Sequence, residues 1–83
     1  MDETLGYLRE SLSNYLETSP PCIALYKKLL HNHYEDELAF VRDLDVEEIN
    51  LLNTVLQKEL EYARETQDDK RAGELTEIFE LLF

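Results

Sequence analysis

Apolar residues recur at helical spacing in four stretches of the chain, and no stretch alternates with period two over the length of a strand. The clearest stretch covers residues 46–66. Ile49, Leu52, Leu56, Leu60 and Ala63 form one stripe there, and such a stripe has to be buried against partners. Asp45 followed by Glu48 has the spacing of a capping box, with Leu44 and Ile49 placed to form a hydrophobic staple around it. The rest of the chain is organised around this helix. Leu51, Val55 and Tyr62 make a second apolar line on it, displaced about 100° from the first. Either the helix is central and touches neighbours on two sides, or the second line is a docking surface.

Upstream, Leu5, Leu8, Leu12, Tyr15 and Leu16 predict a first helix over 3–18, with Asp2 as N-cap and Glu3 at the positive end of its dipole. Gly6 weakens its first turn by roughly 1 kcal/mol relative to Ala. Ser19-Pro20-Pro21 ends this helix and opens the next, because Ser19 can cap and the first helical positions tolerate proline. The second helix is expected over 20–43, with Ile23, Tyr26, Leu29 and Leu30 inward and Lys27 and Lys28 outward. Its register can continue through Tyr34, Leu38 and Val41, with a kink near 31–34. The alternative is a break there, after which Glu35-Asp36-Glu37 opens a separate short helix.

Downstream, the run from Glu65 to Asp69 offers nothing to a core. Asp68 or Asp69 caps a last helix over 69–82 that carries Ala72, Leu75, Ile78, Phe79 and Leu82. The apolar registers on either side of the polar run do not join, which predicts a helical hairpin rather than one rod. Leu81-Leu82-Phe83 is apolar enough to be expected to dock. The pattern therefore predicts an all-α fold. Three or four helices pack as a small antiparallel bundle in one domain over 1–83, the last two as a hairpin.

Composition narrows the picture. The chain has 83 residues, near the size at which one core is only just sufficient. Its 43% hydrophobic content with two Gly and two Pro suits a folded, helix-rich chain. The net charge is −11, from 19 acids against 8 bases. That charge repels nucleic-acid phosphates and anionic membranes, so neither is expected as a direct partner. It suits a protein partner with a basic face, or simply keeps a small protein in solution. Cys22 stands alone and cannot form an internal disulfide. The absence of any signal-peptide or membrane-spanning apolar run, and of a basic start, points to the cytoplasm.

Candidate chemistry is sparse. His31 and His33 with Cys22 invite a metal, but residues two apart on a helix point about 200° away from each other, and no second cysteine completes a tetrahedral set. No metal or cofactor is expected. The carboxylate pairs lie in solvated runs, Gly6 and Gly73 are isolated, and a bundle this small leaves little room for a substrate pocket. The expectation is a protein that is not an enzyme. The run from Glu35 to Glu48 is more informative, with seven acids (Glu35, Asp36, Glu37, Asp43, Asp45, Glu47 and Glu48) against the single base Arg42. That exceeds what two helix caps require and suits a patch that steers and orients a basic partner.

The Leu51-Leu52-Asn53, Glu59-Leu60-Glu61-Tyr62-Ala63-Arg64 and Glu74-Leu75-Thr76-Glu77-Ile78-Phe79 texture over 51–82 resembles small acidic helical-hairpin regulators of bacteria, including antirepressors that imitate DNA. The resemblance assigns no functional residue. The expected function is a small acidic regulator that binds and blocks or modulates a protein with a basic surface: a transcription factor, sigma factor, kinase or nucleic-acid enzyme. Partner contacts are expected from Glu35, Asp36, Glu37, Asp43, Glu47 and Glu48, with Leu51, Val55 and Tyr62 supplying desolvated area. A DNA mimic and a structural homodimer or assembly subunit are the alternatives.

Overall fold

Four of the five helices start on an aspartate whose carboxylate accepts backbone N–H bonds, as the unpaired donors of a first turn require. The computed structural model describes residues 2–82. Asp2 caps α1 (Glu3–Ser13), accepting from Thr4 at 3.1 Å and Leu5 at 3.4 Å. Asp36 caps α3 (Glu37–Arg42), accepting from Ala39 at 2.9 Å. Asp45 caps α4 (Val46–Glu65), and Asp68 caps α5 (Asp69–Leu81), accepting from Arg71 at 3.1 Å. The exception is α2 (Pro20–His31). Ser19 precedes it but its side chain makes no capping bond, contrary to the expectation, and the prolines at the first two positions have no N–H to satisfy.

The fold is all-α, with no strand among the described residues. Leu5, Leu8 and Leu12 of α1, Leu25 and Leu29 of α2, Leu52, Leu56 and Leu60 of α4, and Leu75 and Ile78 of α5 share one core, in which α4 and α5 pack together and α1 packs against α2 and α5. Phe40 and Val41 carry the short α3 onto this core, where α3 packs against α5. Helices α4 and α5 form the expected hairpin. Gln67 takes the left-handed conformation, with φ 57°. The Asp68 N–H then reaches back to the Ala63 carbonyl at 2.8 Å and the Gln67 N–H to the Arg64 carbonyl at 3.2 Å. That pair of bonds is a Schellman ending, and it reverses the chain in a three-residue link. Leu82 is buried and Leu81 is 38% exposed, so docking of the last apolar residues is partial; Phe83 lies outside the described residues.

Three further expectations need correction. The helix expected over 20–43 is two helices. Asn32 ends α2 and donates its side-chain amide to the Lys28 carbonyl at 3.1 Å, His33 turns left-handed with φ 50°, and Asp36 opens α3. A left-handed residue cannot continue the helix, so the register read through Tyr34 and Leu38 is broken. The buried face of α2 is also rotated: Cys22, Leu25 and Leu29 are buried, while Ile23, Tyr26 and Leu30 are half-buried and Lys28 faces a partner. Finally, α1 stops at Ser13 rather than residue 18. The Ser11 hydroxyl donates to the Tyr7 carbonyl and that of Ser13 to the Glu10 carbonyl, and such local bonds compete with further helix.

Both glycines lie inside helices, and a Cβ added at either would meet nothing within 4 Å. Replacing either with alanine should therefore stabilise by about 0.5–1 kcal/mol through helix propensity. Thermal unfolding followed by circular dichroism should show each midpoint rise by several degrees, at about 4–8 °C per kcal/mol for a domain of this size. A fall for Gly73→Ala would mean that this position is reserved for a close contact.

Candidate functional site

The start of α4 is the best-built polar feature of the acidic run. Asp45 Oδ1 accepts the Glu48 N–H at 2.8 Å and Glu48 Oε1 accepts the Asp45 N–H at 3.0 Å, completing the capping box. The same Glu48 carboxylate pairs with Lys28 Nζ of α2 at 3.1 Å. Lys28 also donates to the Asp43 carbonyl, and the Asp43 carboxylate accepts the Tyr34 hydroxyl. Tyr34 packs edge-on to Phe40, with ring centroids 5.2 Å apart. Partial burial first, and the bond to Asp43 second, push the Tyr34 phenol up to about 12. This connected set ties the end of α2, the α3 segment and the first turn of α4 together.

Beside it, α2 and α4 leave a groove of about 380 Å³. Its α2 wall is apolar, made by Pro21 and Ala24 over the buried Leu25. Its α4 wall is Leu51 with an acidic rim of Asp45, Glu47 and Glu48. The rim acids are not equivalent. Asp45 and Glu48 are engaged in the capping box, whereas Glu47 is exposed and makes no side-chain bond among the described residues. The site thus offers a small apolar surface bordered on one side by negative charge, with one carboxylate free to meet a cation.

The groove gathers Glu47, Glu48 and Leu51 from the expected contact residues. Others are occupied elsewhere: Asp36 caps α3, and Asp43 accepts from Tyr34. Glu35 is exposed before α3 and Glu37 is half-buried in its first turn. Val55 is a correction. It is buried at 3% exposure, packed in the core and unable to serve as a docking surface. Tyr62 is 59% exposed, but it lies about 22 Å along the helix from Glu47, at roughly 1.5 Å per residue. The second apolar line therefore divides into a groove wall, a core residue and a distant exposed ring.

A second polar cluster escaped the sequence reading. Glu59 of α4 and Arg71 of α5 are both buried, with Arg71 Nη2 3.3 Å from Glu59 Oε1. Arg71 Nη2 also donates to the Ser11 hydroxyl at 2.9 Å, and Nη1 reaches Glu10 at 3.2 Å. The Asn14 amide donates to Glu59 at 3.0 Å and the Tyr15 hydroxyl to Glu59 at 3.3 Å. Burial, and then the Glu59 charge, raise the Tyr15 phenol above its usual range. A signal was present: Glu59 stands between Val55 and Ala63 at helical spacing, and Arg71 leads the row Leu75, Ile78 and Leu82. A charge on each of two apolar stripes points to an internal pair.

Among the described residues, no group of three or more His, Cys, Asp or Glu is arranged to hold a metal ion, and no helix is long and apolar enough to cross a membrane. The fold and groove define a small, acidic, all-helical protein with an acid-rimmed apolar surface. It belongs to the family described as CsgA, Minor curli fiber component A, whose model matches residues 1–83. It is 56% identical over 82 residues to the "Sigma-G-dependent sporulation-specific SASP protein" of Bacillus subtilis (strain 168), a match covering 99% of each chain. That name carries no catalytic activity. No solved structure is a significant match.

Two outcomes test these clusters. Glu59→Ala or Arg71→Ala should each destabilise by about 3–5 kcal/mol, because either strands a buried charge, whereas the double change Glu59→Leu/Arg71→Met should cost far less. Urea unfolding of the single and double variants measures this, and additive losses would show that the two charges are not coupled. The Tyr34 phenol, held above its ordinary 10.0, contributes stability that is complete below pH 10 and lost as pH rises toward about 12. Spectrophotometric titration should show late phenolate ionisation whose amplitude Tyr34→Phe reduces, the remainder belonging to Tyr15.

Proposed function

We propose that this protein is a non-enzymatic binding module that engages a protein partner with a basic surface through the α2/α4 groove and its rim. One observation carries the reading: Glu47 makes no side-chain bond among the described residues and stands beside the apolar Pro21, Ala24 and Leu51, so charge complementarity and desolvated contact are available on one face. The name of the Bacillus subtilis relative supports a role during sporulation under sigma-G. The expected setting is the cytoplasm, where a single buried thiol such as Cys22 remains reduced. DNA mimicry is less well supported, because Asp36, Asp43, Asp45 and Glu48 turn their carboxylates to bonds within the chain rather than presenting them as a row of phosphate-like charges.

A second reading, an assembly subunit or homodimer, draws on the family description as a fibre component. A net charge of −11 opposes close packing of copies. Sedimentation across a wide concentration range would favour this reading if the chain assembled at neutral pH and moderate salt.

The direct test is affinity capture from sporulating-cell lysate at low and moderate salt, with wild type, Glu47→Lys and Glu61→Lys as baits. Glu61 is exposed on α4 away from the groove and provides the same change of charge. Glu48 is unsuitable for reversal, since it holds the capping box and Lys28. A basic protein retained by wild type and Glu61→Lys but lost by Glu47→Lys is the expected result. Equal retention by all three baits would remove the rim from the mechanism.

A further inference from the structure

Resting on this binding reading, we infer that the occupant of the α2/α4 groove is a short amphipathic basic helix of the partner, which seats an aliphatic side chain against Pro21, Ala24 and Leu51 and directs a Lys or Arg to Glu47. Three observations select this chemistry. The groove is open and about 380 Å³, near the lower end of ligand-pocket volumes of about 300–1,000 Å³, so it suits an anchor side chain better than an enclosed metabolite. Both walls are helices, α2 and α4, and helix walls present no free strand edge. An extended peptide laid there would lose water from its own N–H and C=O groups without replacement bonds, whereas a helix arrives with them satisfied.

Charge selects the sign. The acids border only the α4 side, and Glu47 sits one turn before Leu51, so the two side chains share a face. A ligand helix needs an apolar stripe toward α2 and a cation toward α4. A second copy of this chain fits poorly, because its net charge of −11 meets the same rim. Lys28 of α2 is already held by Glu48 of the rim. Ala24 is exposed on the α2 wall, so a bulky side chain placed there fills the groove without disturbing the core.

The test uses the full chain and three fluorescent peptides: a Leu/Lys peptide patterned as an amphipathic helix, a scrambled Leu/Lys peptide of identical composition, and a Leu/Glu peptide of the amphipathic pattern. Anisotropy at low and moderate salt should show binding of the first alone. Ala24→Trp should weaken it on the order of tenfold or more, the scale of one lost anchor, and Glu47→Gln should weaken it severalfold while flattening its salt dependence. Circular dichroism of each variant confirms the fold. Equal binding of the patterned and scrambled peptides, or indifference to Ala24→Trp, would overturn the helix-in-groove assignment, as would no binding by wild type. Capture of a basic protein dependent on Glu47 would stand in any of those cases, with the partner then using a folded surface. Loss of that capture with peptide binding intact would instead overturn the broader reading alone.

Discussion

Glu59 constrains three of the five helices. A carboxylate at 6% exposure inside a small helical core must be met by donors, and it draws them from Asn14 and Tyr15 after α1 and from Arg71 of α5. Arg71 in turn takes Ser11 and Glu10 of α1. An apolar stripe tolerates sliding or rotation with modest loss, but a buried ion pair does not, because a shift of even one turn strands a charge. The cluster therefore fixes how α1, α4 and α5 sit against one another. Asn14 and Tyr15, which follow the end of α1 at Ser13, are the residues that reach Glu59.

A second set of bonds positions the groove. Glu48 closes the α4 cap and holds Lys28, so the outer half of α2 is fastened to the first turn of α4. Ala24 and Leu51, on the two helices joined by this pair, wall the groove. The acidic run thus performs two jobs at once. Some of its members are internal fasteners, and Glu47, which makes no side-chain bond among the described residues, gives the rim its outward charge.

The expectation of one broad acidic patch and the finding of a small groove differ for a physical reason. Charge counting treats every carboxylate as pointing outward, yet Asp36, Asp45 and Glu48 lie where backbone donors or Lys28 wait for them. Asp36 could have been recognised as a cap from its sequence alone, once the break at His33 is accepted. The break itself was ambiguous, because the apolar spacing of Tyr34, Leu38 and Val41 suits a continuous helix equally well.

What the sequence determined by itself is local. The capping box at Asp45 and Glu48, the main stripe of α4, the cap at Asp2 and the polar link that ends α4 are each specified by residues within a few positions of one another. Helix starts, helix faces and the hairpin follow from such short-range chemistry. What only the tertiary structure decided is which side chains are left over. Val55 and Leu51 stand one turn apart on the same line, and one is core while the other walls a groove. Glu47 and Glu48 are adjacent acids, and one is exposed with no side-chain bond among the described residues while the other is bonded to two elements. Those differences depend on where α2 lies across α4, a placement set by long-range packing and the Lys28 ion pair rather than by any neighbour in the chain.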